Sequence, residues 1–327
     1  MTETLTSGLG DASASELLEQ LGSSPPHSRA VPFATGFDPL DDVLQGGLRA
    51  QDLVVLGGGP GIGKTVVALQ WARRMAMHGQ TAIYVGYQHS PAALLRRLLA
   101  IELASLARPD EVDALIRLRT LGEEVVLGSI PTKSLTIDPL GEEAYHRLRD
   151  YGTRLHLVEG SGRTTGIAEL AQIVAQRRAG ATALFVDYVQ RIPIIGSAPD
   201  DTARGIQIAE QLKELAMVAE VPIVALAASD RDGLMATRVR LHHLQSSTAL
   251  AHEADVAILM NEKARVASVA HLSLDPVRAE QFNQWVMFSV EKNREGSPSI
   301  NLEFRKDLAN YRFDPHGEFM TDPLVER

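Results

Sequence analysis

The residues best suited to chemistry stand together at Gly58-Gly59-Pro60-Gly61-Ile62-Gly63-Lys64-Thr65. Their spacing is G-x-x-x-x-G-K-[ST], a phosphate-binding loop. Glycines let backbone N–H groups converge on phosphate oxygens in conformations that a side chain would block. Lys64 is spaced to reach β- and γ-phosphates, and the Thr65 hydroxyl to ligate Mg²⁺. A second candidate is Asp187, which closes the apolar run Ala183-Leu-Phe-Val-Asp187. An acid at the carboxyl end of a buried strand, after such a loop, can hold the Mg²⁺ shell through water. Together these residues imply a site for a nucleoside triphosphate, ATP being the common one, with Mg²⁺.

Such groups need elements to hold them. Asp52 to Leu56 reads as a buried strand and Lys64 to Met77 as a helix, so the loop delivers phosphates to a helix N-terminus, where the dipole favours anions. Thr81 to Gly86 and Leu155 to Val158 read as further strands, as does Val221 to Ala227. Helical spacing recurs over 91–106, Thr165 to Arg178 and Asp201 to Glu220. Residues 107–152 are charged and weakly periodic and read as helical, with a loop around Gly128 to Pro139. Strands alternating with helices predict an α/β fold: a mostly parallel central sheet with helices on both faces. After Ala254 to Met260 the pattern changes, and Trp285 to Lys292, Ser299 to Arg305 and Asn310 to Phe313 read as successive antiparallel strands. No internal repeat and no second hydrophobic core is evident.

Composition narrows the rest. The 327 residues carry 45% hydrophobic and 22% charged residues, ordinary for a globular protein. Without cysteine there is neither a disulfide framework nor a thiolate metal site. The N-terminus lacks a signal-peptide pattern and no apolar run approaches a membrane span, so the expectation is a cytoplasmic protein without membrane contact. A net charge of −9 argues against a general nucleic-acid coat and leaves room only for a local channel. Residues 1–33 are expected to be a largely disordered segment, and 34–327 the folded domain. Within the segment, Ser13 and Glu16 form a capping box ahead of Leu17, Leu18 and Leu21, with Gly22 ending the helix. That helix is either transient or a docking element for a neighbouring surface.

From about residue 34 onward the chain resembles the C-terminal RecA-type motor domain of the DnaB replicative helicase family. The likeness rests on Thr35-Gly-Phe-Asp-Pro-Leu-Asp41, the phosphate loop, Val186-Asp-Tyr-Val-Gln190, Val221-Pro-Ile-Val-Ala-Leu226 and Ala254-Asp255, in that order. RecA/RadA recombinases and KaiC-like ATPases are the rival families. The family's separate N-terminal helical domain is not expected in the residues given before the core. The resemblance implies a RecA-like P-loop NTPase forming a homo-oligomeric ring, commonly of six subunits, with ATP at each subunit boundary and single-stranded DNA as partner in replication or repair. It also implies that Lys292 and Arg294, in Val290-Glu-Lys-Asn-Arg-Glu-Gly296, reach the neighbour's γ-phosphate. Composition alone makes them a solvated basic strand end.

Three positions depart from the family. Its general-base glutamate falls on Gln88, in Tyr84-Val-Gly-Tyr-Gln-His-Ser90, and a neutral amide orients water without accepting its proton. His89 could substitute if its ring turned inward. The γ-phosphate-sensing glutamine falls on Ala228. In the DNA loop, His242-His-Leu-Gln-Ser-Ser-Thr-Ala249 puts Gln245 and Thr248 where arginine and glycine stand. Arg231, Arg238 and Arg240, just upstream, either compensate by binding DNA or form an exposed basic loop. The expectation is an ATPase of slow turnover; the alternative is an ATP-dependent switch or scaffold without helicase activity.

Overall fold

The computed structural model of the chain describes residues 13–23, 31–106, 112–194, 200–245, 247–267 and 281–321. In chain order the elements are α1 (Ala14–Ser23), α2 (Asp38–Val43), β1 (Leu53–Gly58), α3 (Lys64–Met77), β2 (Thr81–Gly86), α4 (Pro91–Leu106) and α5 (Val112–Leu127). There follow α6 (Pro139–Gly152), β3 (Leu155–Glu159), α7 (Ile167–Arg177), β4 (Thr182–Asp187), α8 (Asp201–Ala219), β5 (Ile223–Ala228) and α9 (Arg231–Met235). The chain closes with α10 (Ser247–Glu253), β6 (Val256–Glu262), α11 (Lys263–Val266), β7 (Trp285–Asn293), β8 (Ile300–Asp307), β9 (Arg312–Phe313) and β10 (Glu318–Phe319).

The strands run in the order β10–β8–β7–β6–β1–β5–β4–β2–β3, with β9 pairing to β8. From β6 to β3 neighbours are parallel, and β7 to β10 are antiparallel. This is the expected α/β architecture. Strands β1, β2 and β4 are buried along their whole length, which is why each reads as a continuous apolar run. The expected single core is divided by the sheet. Val54 and Leu56 face one apolar layer with α3 and α4, while Leu53 and Val55 face a second with α7 and α8. Alternation along one strand produces both layers.

Local chemistry fixes the helix starts. Asp138 caps α6 through the Leu140 and Gly141 amides, with Pro139 at its first turn, and Asp200 caps α8 through the Ala203 amide. Ser13 and Glu16 form the capping box of α1, with Ser13 N donating to Glu16 Oε2 at 2.6 Å and Glu16 N to Ser13 Oγ at 3.3 Å. That helix runs past Gly22 to Ser23, a terminus where a lone glycine does not break the ladder. Leu18 is exposed, and the side chains of Leu17 and Leu21, with residues 1–12 and 24–30, lie outside the described residues. Several helix and strand limits also move, among them these: α7 is shorter than expected at both ends, Glu220 adopts a left-handed turn beyond α8, and residues 308–310 form a 3₁₀ turn ahead of a two-residue β9.

The entry segment packs onto the same sheet. Asp41 accepts from the Thr35 amide, the Thr35 hydroxyl and the Gly36 amide at 2.7–2.8 Å, closing a tight loop. That loop sets Phe37 against Phe304, centroid to centroid 5.0 Å, beside Trp71 and Phe288. Beneath α3 the fully buried Glu102 is held by Arg73 and by the Tyr151 hydroxyl at 2.6 Å, joining α3, α4 and α6. Among the described residues no helix is long and apolar enough to cross a membrane.

Candidate nucleotide site

Central strand β1 ends in the phosphate loop, so the loop opens at the carboxyl edge of the parallel sheet, where ligands of open α/β folds bind. Gly61 has φ +76° and nothing within 4 Å of where a Cβ would stand, leaving its backbone open to a ligand. Gly63 has φ +101° and leads directly into α3; a Cβ there would lie 2.6 Å from the Phe313 ring. Only glycine satisfies both constraints at Gly63. No side chain caps the start of α3, so its first amides are available to an anion.

Lys64, Thr65 and Asp187 are brought together here. Lys64 Nζ donates to the Gly58 and Gly59 carbonyls, both at 2.8 Å, folding back along its own loop. Burial pushes its pKa down to about 8, against the opposing pull of the Asp187 charge. The Thr65 hydroxyl donates to Asp187 Oδ2 at 2.9 Å, and the Tyr84 hydroxyl to the same oxygen at 2.8 Å. Burial and the neighbouring carboxylate raise the Tyr84 pKa well above its usual value, so Tyr84 stays a donor. One hydroxyl and one carboxylate are hard oxygen ligands, and no group of three or more His, Asp or Glu gathers for a metal among the described residues. That sparse set suits Mg²⁺, which keeps several waters and leans on substrate phosphates, rather than a cation needing a protein cage.

Gln88 lies just past β2, exposed, its Nε2 donating to the Tyr188 hydroxyl at 2.9 Å. The strand register sets Gly86 beside Asp187, so Gln88 borders the same edge. His89 is half-buried; burial and the Arg97 charge lower its pKa, with Asp187 opposing, so its ring is neutral at pH 7. Ala228 closes β5 beside Gly58. Its backbone is gripped by the Gln190 amide, with N–H to Oε1 at 3.3 Å and O to Nε2 at 3.5 Å.

Lys292 and Arg294 lie elsewhere. Asn293 pairs with Val256, which pairs with Val54 near the start of β1, whereas Gly58 pairs with Met260 at the other end. Four residues of strand, roughly 13 Å, separate the two levels. The basic pair therefore sits at the opposite edge of the sheet from this chain's own phosphate loop. Lys292 Nζ donates to the Ala251 and His252 carbonyls at 2.7 and 3.0 Å, at the C-terminus of α10, a favourable place for a cation. Between the pair and Val290 the register slips by one residue. This bulge turns Glu291 toward Arg240, at 3.2 Å, and the Leu241 amide, at 2.8 Å.

The upstream arginines separate. Arg238 is buried and spends its guanidinium on Ser289 Oγ and Asn301 Oδ1, both at 2.8 Å, so the expectation that it faces DNA is corrected: it is a packing residue of β7 and β8. Arg231 is exposed, and Arg240 is partly exposed on Glu291. Gln245 is exposed, and its backbone N–H donates to the Ala228 carbonyl at 3.2 Å, tying this loop to the end of β5; the Thr248 side chain lies outside the described residues. Sequence reasoning missed Tyr84, Gln190 and Tyr188. The available signals were a tyrosine inside the otherwise aliphatic β2 and the run Val186-Asp-Tyr-Val-Gln190, which holds both other residues.

The profile of the DnaB-like helicase C terminal domain matches residues 33–109 and 126–313. The replicative DNA helicase DnaB of Pasteurella multocida (strain Pm70) is 27% identical over 215 residues, 65% of this chain and 42% of that protein. The DNA repair protein RadA of Mycobacterium tuberculosis (strain ATCC 25618 / H37Rv) is 39% identical over 69 residues, 21% of this chain and 14% of that protein. The chain thus spans under half the length of these relatives. Among solved structures, an ATPase domain superposes with a TM-score of 0.69 at 18% identity, covering 93% of this chain and 99% of that one. A DnaB-like replicative helicase, solved for its interactions with primase, gives 0.66 at 16% identity, covering 93% and 67%. At such identities the structures speak for the fold.

Proposed function

The chain belongs to the DnaB-like helicase C-terminal domain family, an ATPase family, and on that premise we propose that it is a ring-forming motor subunit that binds MgATP and hydrolyses it slowly while associating with single-stranded DNA. One observation carries the reading. The phosphate loop with Asp187 and the basic pair Lys292/Arg294 occupy opposite edges of one sheet, an arrangement that supports a nucleotide site completed by a second copy rather than within one chain. A second copy, turned head to tail, supplies the missing half; six such contacts close a ring.

In this reading Gly58 to Thr65 cradle the phosphates, Lys64 neutralises them, and Thr65 and Asp187 hold the Mg²⁺ shell. When bound, Mg²⁺ offsets charge on the transferring phosphoryl group. Arg294 and Lys292 act on the neighbour's γ-phosphate. Gln88, held by Tyr188, orients the attacking water but accepts no proton, which supports slow turnover; losing a general base costs about 10²- to 10⁴-fold. Arg231, Arg240 and Gln245 face the DNA. The capped helix α1 docks on the adjacent subunit: Leu18 is 74% exposed, and such a short helix is marginal without a partner surface. Ala228 and Gln88 together favour the second reading, an ATP-dependent switch that assembles without unwinding. Light scattering with and without MgATP tests the ring. Assembly that strengthens with nucleotide is expected, and a monomer in both conditions at micromolar concentration rejects the motor.

A further inference from the structure

The carboxylate of Asp255 lies outside the phosphate site, yet both of its oxygens are committed. It is 5% exposed. Oδ2 accepts the Leu53 amide at 2.8 Å and the Lys213 ammonium at 2.7 Å, and Oδ1 accepts the Arg294 guanidinium at 3.1 Å. The Arg294 amide also donates to the Asp255 carbonyl at 3.0 Å, tying the two residues twice. A further guanidinium N–H goes to the His252 carbonyl at 3.1 Å.

The charge balance is informative. Lys213, whose side chain is 16% exposed, already neutralises the carboxylate from α8, and Leu53 supplies a neutral donor. Arg294 is therefore not needed to make Asp255 tolerable in the interior. Its own side chain is 49% exposed, and the two bonds just described use two of its five N–H donors. The rest of the guanidinium faces outward at the sheet edge opposite the phosphate loop. A cation held by its inner face with its outer face free is preorganised for an anion, because the side chain's freedom has already been lost.

We infer that Asp255, backed by Lys213, is the positioning residue of Arg294, holding its guanidinium ready for a phosphate presented by a second copy of this chain. The inference rests on the ring reading above. It gives Asp255 a role through Arg294 alone, without contact to nucleotide. It also links sites: Leu53 opens the strand that ends in the phosphate loop, and His252 lies in the last turn of the helix that follows the Gln245 loop.

The test is a mutant cycle on the full chain, reading MgATP turnover and KM. Asp255→Asn alone strands the Lys213 charge, so the paired variant Asp255→Asn/Lys213→Met removes carboxylate and ammonium together, with circular dichroism and urea unfolding reporting on its fold. A misplacement of ~1 Å can cost about 10²-fold in rate. The paired variant should lose about that factor in kcat, with KM within about threefold. Adding Arg294→Ala to it should then cost under about threefold more, although Arg294→Ala in the otherwise native chain costs about 10²-fold or more. If Arg294→Ala costs the same factor in both backgrounds, or Lys213→Met alone reproduces the whole loss, the positioning role is overturned while the ring reading stands. A native chain that stays monomeric with MgATP in light scattering overturns both, since no second copy then presents a phosphate.

Discussion

Lys64 makes the nucleotide site titratable where few sites are. In the free protein burial brings its pKa from 10.5 down to about 8. At pH 9 about one molecule in ten then carries the ammonium, each unit above the pKa being a factor of ten. A triphosphate beside Lys64 favours the charged form and restores its pKa, so binding takes up a proton. Affinity should be flat below pH 8, about tenfold weaker at pH 9, and weaker by at most about 300-fold by pH 10.5, the span of the shift. The same shift has the opposite sign for the free protein's stability. Between pH 8 and 10.5 the unfolded chain binds more protons than the folded one, so this contribution rises with pH there. Calorimetry with a non-hydrolysable MgATP analogue, in two buffers of different ionisation heat, reads the uptake directly. About 0.1 proton is expected at pH 7 and about 0.9 at pH 9; the phosphate's own second ionisation, near ~6, lies outside this range. Lys64→Arg should flatten the profile because a guanidinium does not titrate there. Affinity independent of pH from 7 to 9.5, or proton release, refutes the placement of Lys64 against phosphate.

Other expectations follow from neighbouring contacts. Gln88→Glu restores a carboxylate that can accept from the Tyr188 hydroxyl, and single-turnover rates should rise at least about tenfold; a flat result points to Ala228 instead. Arg73→Met leaves the fully buried Glu102 carboxylate without its cation and should cost about 3–5 kcal/mol in urea unfolding, much of it recovered by adding Glu102→Gln. Leu18→Asp should change monomer stability by under about 0.5 kcal/mol, since the residue is exposed, while weakening MgATP-dependent assembly about tenfold or more in light scattering.

How far these features could be read from residues alone depended on whether their physics is local. The phosphate loop was legible because glycine spacing, an apolar run before it and a helix after it are all contiguous. Asp187 was legible for the same reason, as the polar end of Ala183 to Val186. The strands fully buried on both sides announced themselves as unbroken apolar runs. Arg238 misled because its neighbours in sequence suggest an exposed basic loop, while its partners, Ser289 and Asn301, come from strands more than fifty residues away. The hub at Asp255 was invisible for that reason too: Leu53, Lys213 and Arg294 meet only once the sheet is assembled. Nor could spacing reveal that the basic pair and the phosphate loop lie at opposite edges, because that follows from strand order and register.

On the proposed function, this loop holds ATP for hydrolysis in an assembly that touches single-stranded DNA. Steady-state ATP turnover, measured with and without single-stranded DNA in the native chain and in Lys64→Ala, tests it most directly. Slow turnover that rises with DNA and disappears in Lys64→Ala is expected. Turnover that survives Lys64→Ala, or a native chain that neither binds nor hydrolyses MgATP in either condition, would contradict it.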